Sequence, residues 1–519
     1  MVLVATATGA FVSSLNNNIV NVALPQMATD YGVNPAQIQW VVTTYFLTTA
    51  VTMVIVGRLS DIVGRKRIYT RGCLIFAAGA ALAGLGPSLW ICVMARVVQA
   101  IGGSMLVANA LAIVAAVYPP EKRGQAVGVN GTLVGVGSFL GPSLGGLLTD
   151  TLGWHYIFLV NVPFSFLLFA FSLLFIPTDK PDDKGTEPFD LAGTVFYALA
   201  MLAIMVGTTN LAENYRSAPF WLGPLVIGAG LLALFIRQET GHPQPVLDLR
   251  LFRNLRFSTG LTSGLCAFMV AAFSNFSLPF YLEHTLGLPP ASAGLVMTPF
   301  PLAMMAFSWV SGYLADRTGT GSGITTLGMA LITAAMFWLS FLTPETTPES
   351  VMWRLLLLGL GMGFFNSPNN SEVMNATPPG QLGLGSSLLA TSRHVGQMLG
   401  TSLAALFLGL ALDASATLSA PAGAAIAQGV RLSYLAGGMI GAAGALLCFW
   451  RLVTHRRERD SHAPREEWQG LTARQLARQR NYAGHRLSQP LSAAAPSLSR
   501  SLKPGLRLPR RPASDRPKG

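Results

Sequence analysis

The sequence predicts an all-α, polytopic membrane protein, and three observations carry that prediction. Hydrophobic residues make up 51% of the 519 residues and charged residues only 11%, where a soluble chain of this size carries about a quarter charged residues. The mean hydropathy is +0.48. The apolar residues gather into fourteen runs of about twenty residues, the length needed to cross a hydrocarbon core at about 1.5 Å per helical residue.

In chain order the runs fall near 3–27, 38–58, 69–88, 90–117, 126–149, 156–176, 190–212, 220–236, 257–281, 290–314, 323–343, 351–373, 383–411 and 430–453, with 220–236 the shortest. Loop charge orients them. With the first terminus in the cytoplasm, the inside loops hold Arg58, Arg65, Lys66, Arg67 and Arg71, then Lys122 and Arg123, Lys180 and Lys184, Arg237, Arg250, Arg253 and Arg256, and Arg317. The outside loops hold almost no basic residue; Arg216 is the exception. The positive-inside rule therefore predicts a multi-pass protein of the cell inner membrane with both termini cytoplasmic. The first apolar run ends in NNNIVNVALP rather than a small-residue cleavage site, so no cleaved leader is expected.

The net charge is +12. Its surplus sits in the inside loops and in the last sixty or so residues, a placement that suits anionic lipid rather than nucleic acid. The segment from about Thr454 is rich in Arg, Pro and Ser and is expected to be disordered, either held on lipid or simply solvated. Cys73, Cys92, Cys266 and Cys448 all lie inside apolar runs without a CxxC pair and read as small buried hydrophobes. No GxxxxGK[ST], HExxH, Cys/His cluster, TVGYG or Ser–His–Asp arrangement occurs. An enzyme, a metal and a cofactor are therefore not expected.

An eight-residue pattern repeats. Gly57-Arg-Leu-Ser-Asp61-Ile-Val-Gly64 follows the second run, and Gly312-Tyr-Leu-Ala-Asp316-Arg-Thr-Gly319 follows the tenth. Related halves are the usual construction of secondary transporters. Halves that begin at runs one and nine, with six runs each, leave runs seven and eight as an inserted pair. The expected domains are a six-helix bundle at 1–176, the inserted pair and linker at 177–256, a second bundle at 257–453 and the basic tail at 454–519.

Five stretches in order then resemble the major facilitator superfamily, in its fourteen-spanner drug:proton antiporter branch, over roughly residues 10–453. GRLSDIVGRKR is similar to that family's loop between the second and third spans. RVVQAIGG from Arg96 is similar to its fourth-span signature, with Ala100 where the family usually has Gly. GSFLGPSLGG, from Gly137 to Gly146, resembles its fifth-span antiporter signature. WHYIFLVNVP, and FNSPNNSEVMN with TSRHVGQMLGT, resemble further family stretches. The resemblance implies two six-helix bundles that rock about a midplane solute site, and efflux of hydrophobic or cationic drugs against protons. Export of an endogenous metabolite or lipid-like solute by the same fold, and a non-transporting membrane sensor, are the alternatives. Whether a periplasmic adaptor takes part is not written in these residues.

The motifs can also be read physically. Gly57, Asp61, Gly64, Arg65 and Asp316 would form a charged gate latch between access states, or a static salt bridge that marks topology. Arg96 stands between apolar residues, which costs about 2.5–3.5 kcal/mol on insertion scales unless it faces a cavity or partner; Gln99 lies one turn on. The resemblance links this pair to proton coupling. Gly137, Gly141 and Gly145 line one stripe beside Pro142 and Gly146, a face smooth enough for another backbone. Asn17 and Asn21 share a stripe with Ser13, Asn366 lies one turn from Asn370, and Arg393 one turn from Gln397. These polar pairs either line the solute path or bond neighbouring helices. The family acid of the first span is absent: the position is Asn16, and an amide does not titrate. Asp30, Asp150, Glu213, Glu283, Glu372 and Asp413 fall near predicted helix ends, which leaves His284 and His394 as the other titratable candidates.

Overall fold

A backbone group without a partner costs several kcal/mol in hydrocarbon, so each apolar run has to close its own hydrogen bonds and become a helix. The computed structural model describes residues 2–117, 120–177, 191–213, 215–241, 249–318, 321–378, 382–418 and 422–460. Among these residues there is no strand. The helices are α1 (Val2–Tyr31), α2 (Pro35–Ile38), α3 (Trp40–Val63), α4 (Arg65–Leu85), α5 (Leu89–Val117), α6 (Pro120–Thr151), α7 (His155–Leu159), α8 (Asn161–Phe175), α9 (Leu191–Glu213), α10 (Ala218–Gly241), α11 (Leu255–Phe280), α12 (Pro290–Met297), α13 (Pro299–Thr318), α14 (Gly321–Leu339), α15 (Pro348–Asn375), α16 (Leu382–Leu418) and α17 (Ala422–Asp460). The short pieces α2, α7 and α12 each run on into the next helix, so the seventeen helices make fourteen crossings.

Twelve crossings are long and apolar enough to span a membrane by length and composition alone. The other two, α1 and α15, have 30 and 28 residues but carry Asn16, Asn17, Asn18 and Asn21, and Arg354, Asn366, Asn369 and Asn370. Polar residues at that depth have to face the interior. Two expectations about length change. The eighth crossing, read from sequence as the shortest, is the 24-residue α10, because Pro224 is accommodated inside the helix. The last helix runs to Asp460, past the expected start of the tail at Thr454. The rest of the tail lies outside the described residues.

The packing shows the repeat. α1 packs on α6, α4 on α5, and α3 on α5; eight crossings later α11 packs on α16, α14 on α15, and α13 on α15. Each pairing in the first set maps onto one in the second. The seam between the sets obeys the same rule: α6 meets α12, the fifth crossing on the tenth, and α16 meets α3, the thirteenth on the second. The inserted pair, α9 and α10, packs mainly on itself, and α9 carries it against α16 and α3. Trp40 Nε1 donates to Glu213 Oε1 at 2.5 Å, and the Tyr215 hydroxyl bonds Asp413 Oδ2 at 3.1 Å. Phe220, Val226, Ile227 and Leu234 of α10 stay exposed on the outer face, where lipid covers them.

Candidate solute-translocation site

Arg96 is the centre of a closed polar cluster in the first helix set. Its side chain is 2% exposed. Nε donates to the Val41 carbonyl at 3.0 Å, and Nη1 donates to Gln99 Oε1 at 2.7 Å and Asn16 Oδ1 at 3.3 Å. Gln99 Nε2 also donates to Asn16 Oδ1, at 3.0 Å. The guanidinium lies over the Tyr45 ring, 4.0 Å from its centroid. The structure thus brings Arg96, Gln99 and Asn16 together, and among the described residues the acceptors in the cluster are neutral oxygens. Tyr45 and the Val41 carbonyl were missing from the sequence reading, since nothing in α3's pattern marks them.

The glycine stripe of α6 is a docking surface for α1. A methyl group on Gly137 would lie 2.6 Å from the Phe11 carbonyl oxygen, on Gly141 2.5 Å from Asn18 Cβ, and on Gly145 2.6 Å from the Ile19 carbonyl oxygen. Gly146 faces the other way and abuts the Pro290 carbonyl, while Gly294 abuts the carbonyl of Pro142. The Ser143 and Thr298 hydroxyls are 2.9 Å apart. One helix therefore uses glycine on two faces, one within its own set and one across the seam. These seam contacts lie toward the loop side opposite Arg65.

The junction that follows Asp61 is a single residue. Gly64 links α3 to α4 at φ +101°, a region that only glycine enters without strain. Gly57 has nothing within 4 Å of an added methyl group, so it makes no close helix approach. Arg65 Nη1 donates to the Ala112 carbonyl at 3.3 Å. Asp61 and Asp316 occupy the last turns of α3 and α13; their side chains lie outside the described residues.

The amide pairs bond themselves in part. Asn21 Nδ2 donates to the Asn17 carbonyl at 3.2 Å, and Asn370 Nδ2 to Asn366 Oδ1 at 3.2 Å. Asn17, Asn366, Asn370, Arg393 and Gln397 are all half-buried. The Arg393 guanidinium lies over the Phe268 ring at 4.7 Å, and the His394 ring stacks on Phe46 of the other set at 5.9 Å. A small cavity between the sets is lined by Asn18, Pro142, Ser274, Asn275, Phe300 and Leu355. Asn18, Ser274 and Asn275 were not singled out from sequence, although Asn18 completes the Asn16–Asn18 triplet.

A second cluster escaped the sequence reading. Arg451 pairs with Glu372 at 2.8 Å and donates from Nη1 to Asn369 Oδ1 at 3.0 Å. Asn369 Nδ2 reaches the Gly260 carbonyl at 3.0 Å, and the Ser322 hydroxyl bonds Glu372 Oε1 at 2.6 Å. Four crossings, α11, α14, α15 and α17, are thus tied on the basic-loop side. Glu372 is a structural ion-pair partner there. Only its neighbour spacing to Asn369 on one helix face hinted at it.

Twelve crossings in two equivalent sets of six, with an inserted pair beside them, meet along two equivalent seams around an amide-lined interior, which is the architecture of a transport protein. The sequence profile of the Major Facilitator Superfamily matches residues 6–401, and the chain belongs to that family. It is 34% identical over 405 residues to the riboflavin transporter RibZ of Clostridioides difficile, which covers 78% of this chain and 86% of that one. It is 29% identical over 402 residues to the multidrug resistance protein Stp of Mycobacterium tuberculosis, covering 77% of this chain and 74% of that one. It is 28% identical over 410 residues to the tetracenomycin C resistance and export protein of Streptomyces glaucescens, covering 77% and 74%. The fold is similar to the crystal structure of a bacterial homolog of the lysosomal transporter Spinster, with a TM-score of 0.64, 16% identity and coverage of 88% and 97%. The protein is a multi-pass membrane transporter and not an enzyme.

Proposed function

We propose that this transporter exports hydrophobic, flat aromatic solutes from the cytoplasm, and that its first crossing, which lacks a titratable group, leaves it without drive from a proton gradient. The observation that carries this reading is the Arg96 cluster: Asn16 stands where the related antiporters have an acid, and its Oδ1 already accepts from Arg96 and Gln99. An amide neither binds nor releases a proton in the working pH range. Aromatic rings from both sets border polar residues of α16, Phe46 the buried His394 and Phe268 the half-buried Arg393, which suits a planar ligand. The names of two relatives, a riboflavin transporter and a tetracenomycin C resistance and export protein, support the same class of cargo.

Inside-facing basic loops support the inner membrane and cytoplasmic termini. Solutes would enter from the side of Arg65 while the α6–α12 seam stays shut, and rocking of the two sets would open the other side.

Reconstituted vesicles test this. Riboflavin and a panel of aromatic dyes are loaded, and efflux is followed with and without a proton gradient. Efflux that is independent of the gradient is expected. Asn16→Asp is expected to make efflux sensitive to it. No movement of any aromatic solute would remove the reading, and steep gradient dependence in the wild type would remove its coupling clause.

A further inference from the structure

Four arginines that the structure buries or half-buries lie inside the crossings, Arg96, Arg354, Arg393 and Arg451, and every acid on the described helices sits near a helix end. Arg451 is paired with Glu372, and Arg354 is the seventh residue of α15 and lies over the Trp338 ring. Arg96 is in the third turn of α5 and Arg393 in the fourth turn of α16. Every Asp and Glu on the described helices sits in the last turn or two at one end; the deepest is Asp413, five residues before the end of α16 at Leu418. A guanidinium in hydrocarbon costs about 3 kcal/mol on insertion scales, so each one needs acceptors.

Arg96 and Arg393 differ in how that need is met. Arg96 has three oxygen acceptors and a ring face. Arg393 makes no hydrogen bond or ion pair among the described residues. Its Nε is buried without a partner, and its guanidinium lies over the Phe268 ring, 4.7 Å from the centroid. Two neighbours are also polar and buried at these atoms, His394 Nδ1 and Gln397 Oε1, and these two side chains lie close enough to interact with each other.

The direction of these groups follows from helix geometry. Gly396 and Gly400 of α16 abut Leu265 and Met269 of α11, while His394 faces Phe46 of α3. At about 100° per residue, Arg393 and Gln397 fall in the angular gap between those two contacts. That gap is the space between the helix sets, and the two residues are half-buried there.

We propose that Arg393 is the anion-binding group of the solute site and receives an oxyanion, carboxylate or phosphate, carried by a flat aromatic ligand. The guanidinium fork matches two oxygens of such a group. Gln397 stands one turn along as a further polar contact, and the rings of Phe268 and Phe46 offer faces to the aromatic body. The bound anion supplies the counter-charge that no side chain provides. A cationic cargo, by contrast, meets Arg393 with no carboxylate nearby to hold it. The proposal rests on the reading of the chain as an exporter of aromatic solutes and assigns the charge of that cargo.

The test uses the full-length protein in lipid nanodiscs and two xanthene dyes of opposite charge, fluorescein and rhodamine 6G, with binding read by fluorescence polarisation. Wild type is expected to bind fluorescein at least tenfold more tightly. Arg393→Gln is expected to weaken fluorescein at least tenfold while rhodamine 6G changes less than twofold, and Arg393→Lys to keep the anion preference. Equal binding of both dyes by wild type, or fluorescein binding indifferent to Arg393→Gln, overturns the proposal. Should Arg393→Gln lack a cooperative thermal melt, wild type decides alone: 2-naphthoate must displace fluorescein and 2-naphthylmethylammonium must not, and equal displacement overturns it. The same dyes in vesicles separate the two levels. Absence of any efflux overturns the transport reading, whereas efflux of both dyes without regard to Arg393 overturns only the charge assignment.

Discussion

At the scale of single residues, the decisive feature is how a buried group is satisfied. Arg96 sits among neutral oxygens, so its removal strands Gln99 Oε1, while Asn16 Oδ1 keeps only its bond from Gln99 Nε2 and the Val41 carbonyl loses its side-chain donor. A stranded acceptor costs about 1–3 kcal/mol. Arg96→Met is therefore expected to lower the melting temperature by several degrees, measured on the purified protein by tryptophan fluorescence; an unchanged melt would show that the cluster does not hold the helices. Arg451 is the companion case. Its side chain is 1% exposed and faces Glu372 at 2.8 Å. Arg451→Gln leaves that carboxylate without its ion pair and is expected to cost roughly 3 kcal/mol. Glu372→Gln together with Arg451→Gln should recover part of the loss, which a double-mutant cycle on chemical denaturation measures. The two glycines of the α3–α4 junction separate in the same way. Gly64→Ala forces a side chain into φ +101° and should cost about 1 kcal/mol or more. Gly57→Ala meets no atom within 4 Å and should leave stability unchanged or slightly raised.

Elements add a second level, in which helices are surfaces. The α6 stripe was legible as a stripe because Gly137, Gly141 and Gly145 recur every four residues. Its partner was not legible. Only the packing shows that these glycines lie on Phe11, Asn18 and Ile19 of α1, and that Gly146 belongs to a different contact, on Pro290. The two faces should fail differently. Gly145→Leu pushes α6 away from α1 inside one helix set and is expected to reduce expression and melting temperature. Gly146→Leu wedges the seam between the sets; it should leave the fold intact while biasing the seam open, detected as faster alkylation of a cysteine introduced at Ser143. Equal damage from both would show that the two faces are not separate functional contacts.

For the whole molecule, the question is whether the two sets move against each other. The Ser143 and Thr298 oxygens are 2.9 Å apart across the seam. Cysteines at both positions are therefore close enough to be joined. The expected result is loss of efflux on oxidation and recovery with reductant; full efflux from the oxidised pair would exclude opening at this seam. The native cysteines interfere little, since all four are free and three are buried. The same background permits labelling of single cysteines in the α3–α4 and α13–α14 junctions. Both should be reached from one side, because the repeat places them eight crossings apart.

The sequence by itself determined the number of crossings, their order, the repeat and the family, because apolar length and glycine spacing are local properties that lipid turns directly into helices. It also marked Asn16 as a departure, since one missing acid is visible without a structure. Tertiary structure alone decided which polar side chains satisfy one another. Arg96 and Arg393 look alike in sequence, each a lone cation in an apolar run. One is closed off by α1 and α3, and the other points into the gap between two helix sets with no acceptor for its Nε among the described residues. Glu372 reads as a stray acid until α17 brings Arg451 to it. The reason is physical: a helix fixes what its own residues face within a turn or two, whereas the partner of a buried charge comes from crossings far away in the chain, and only packing sets their distance.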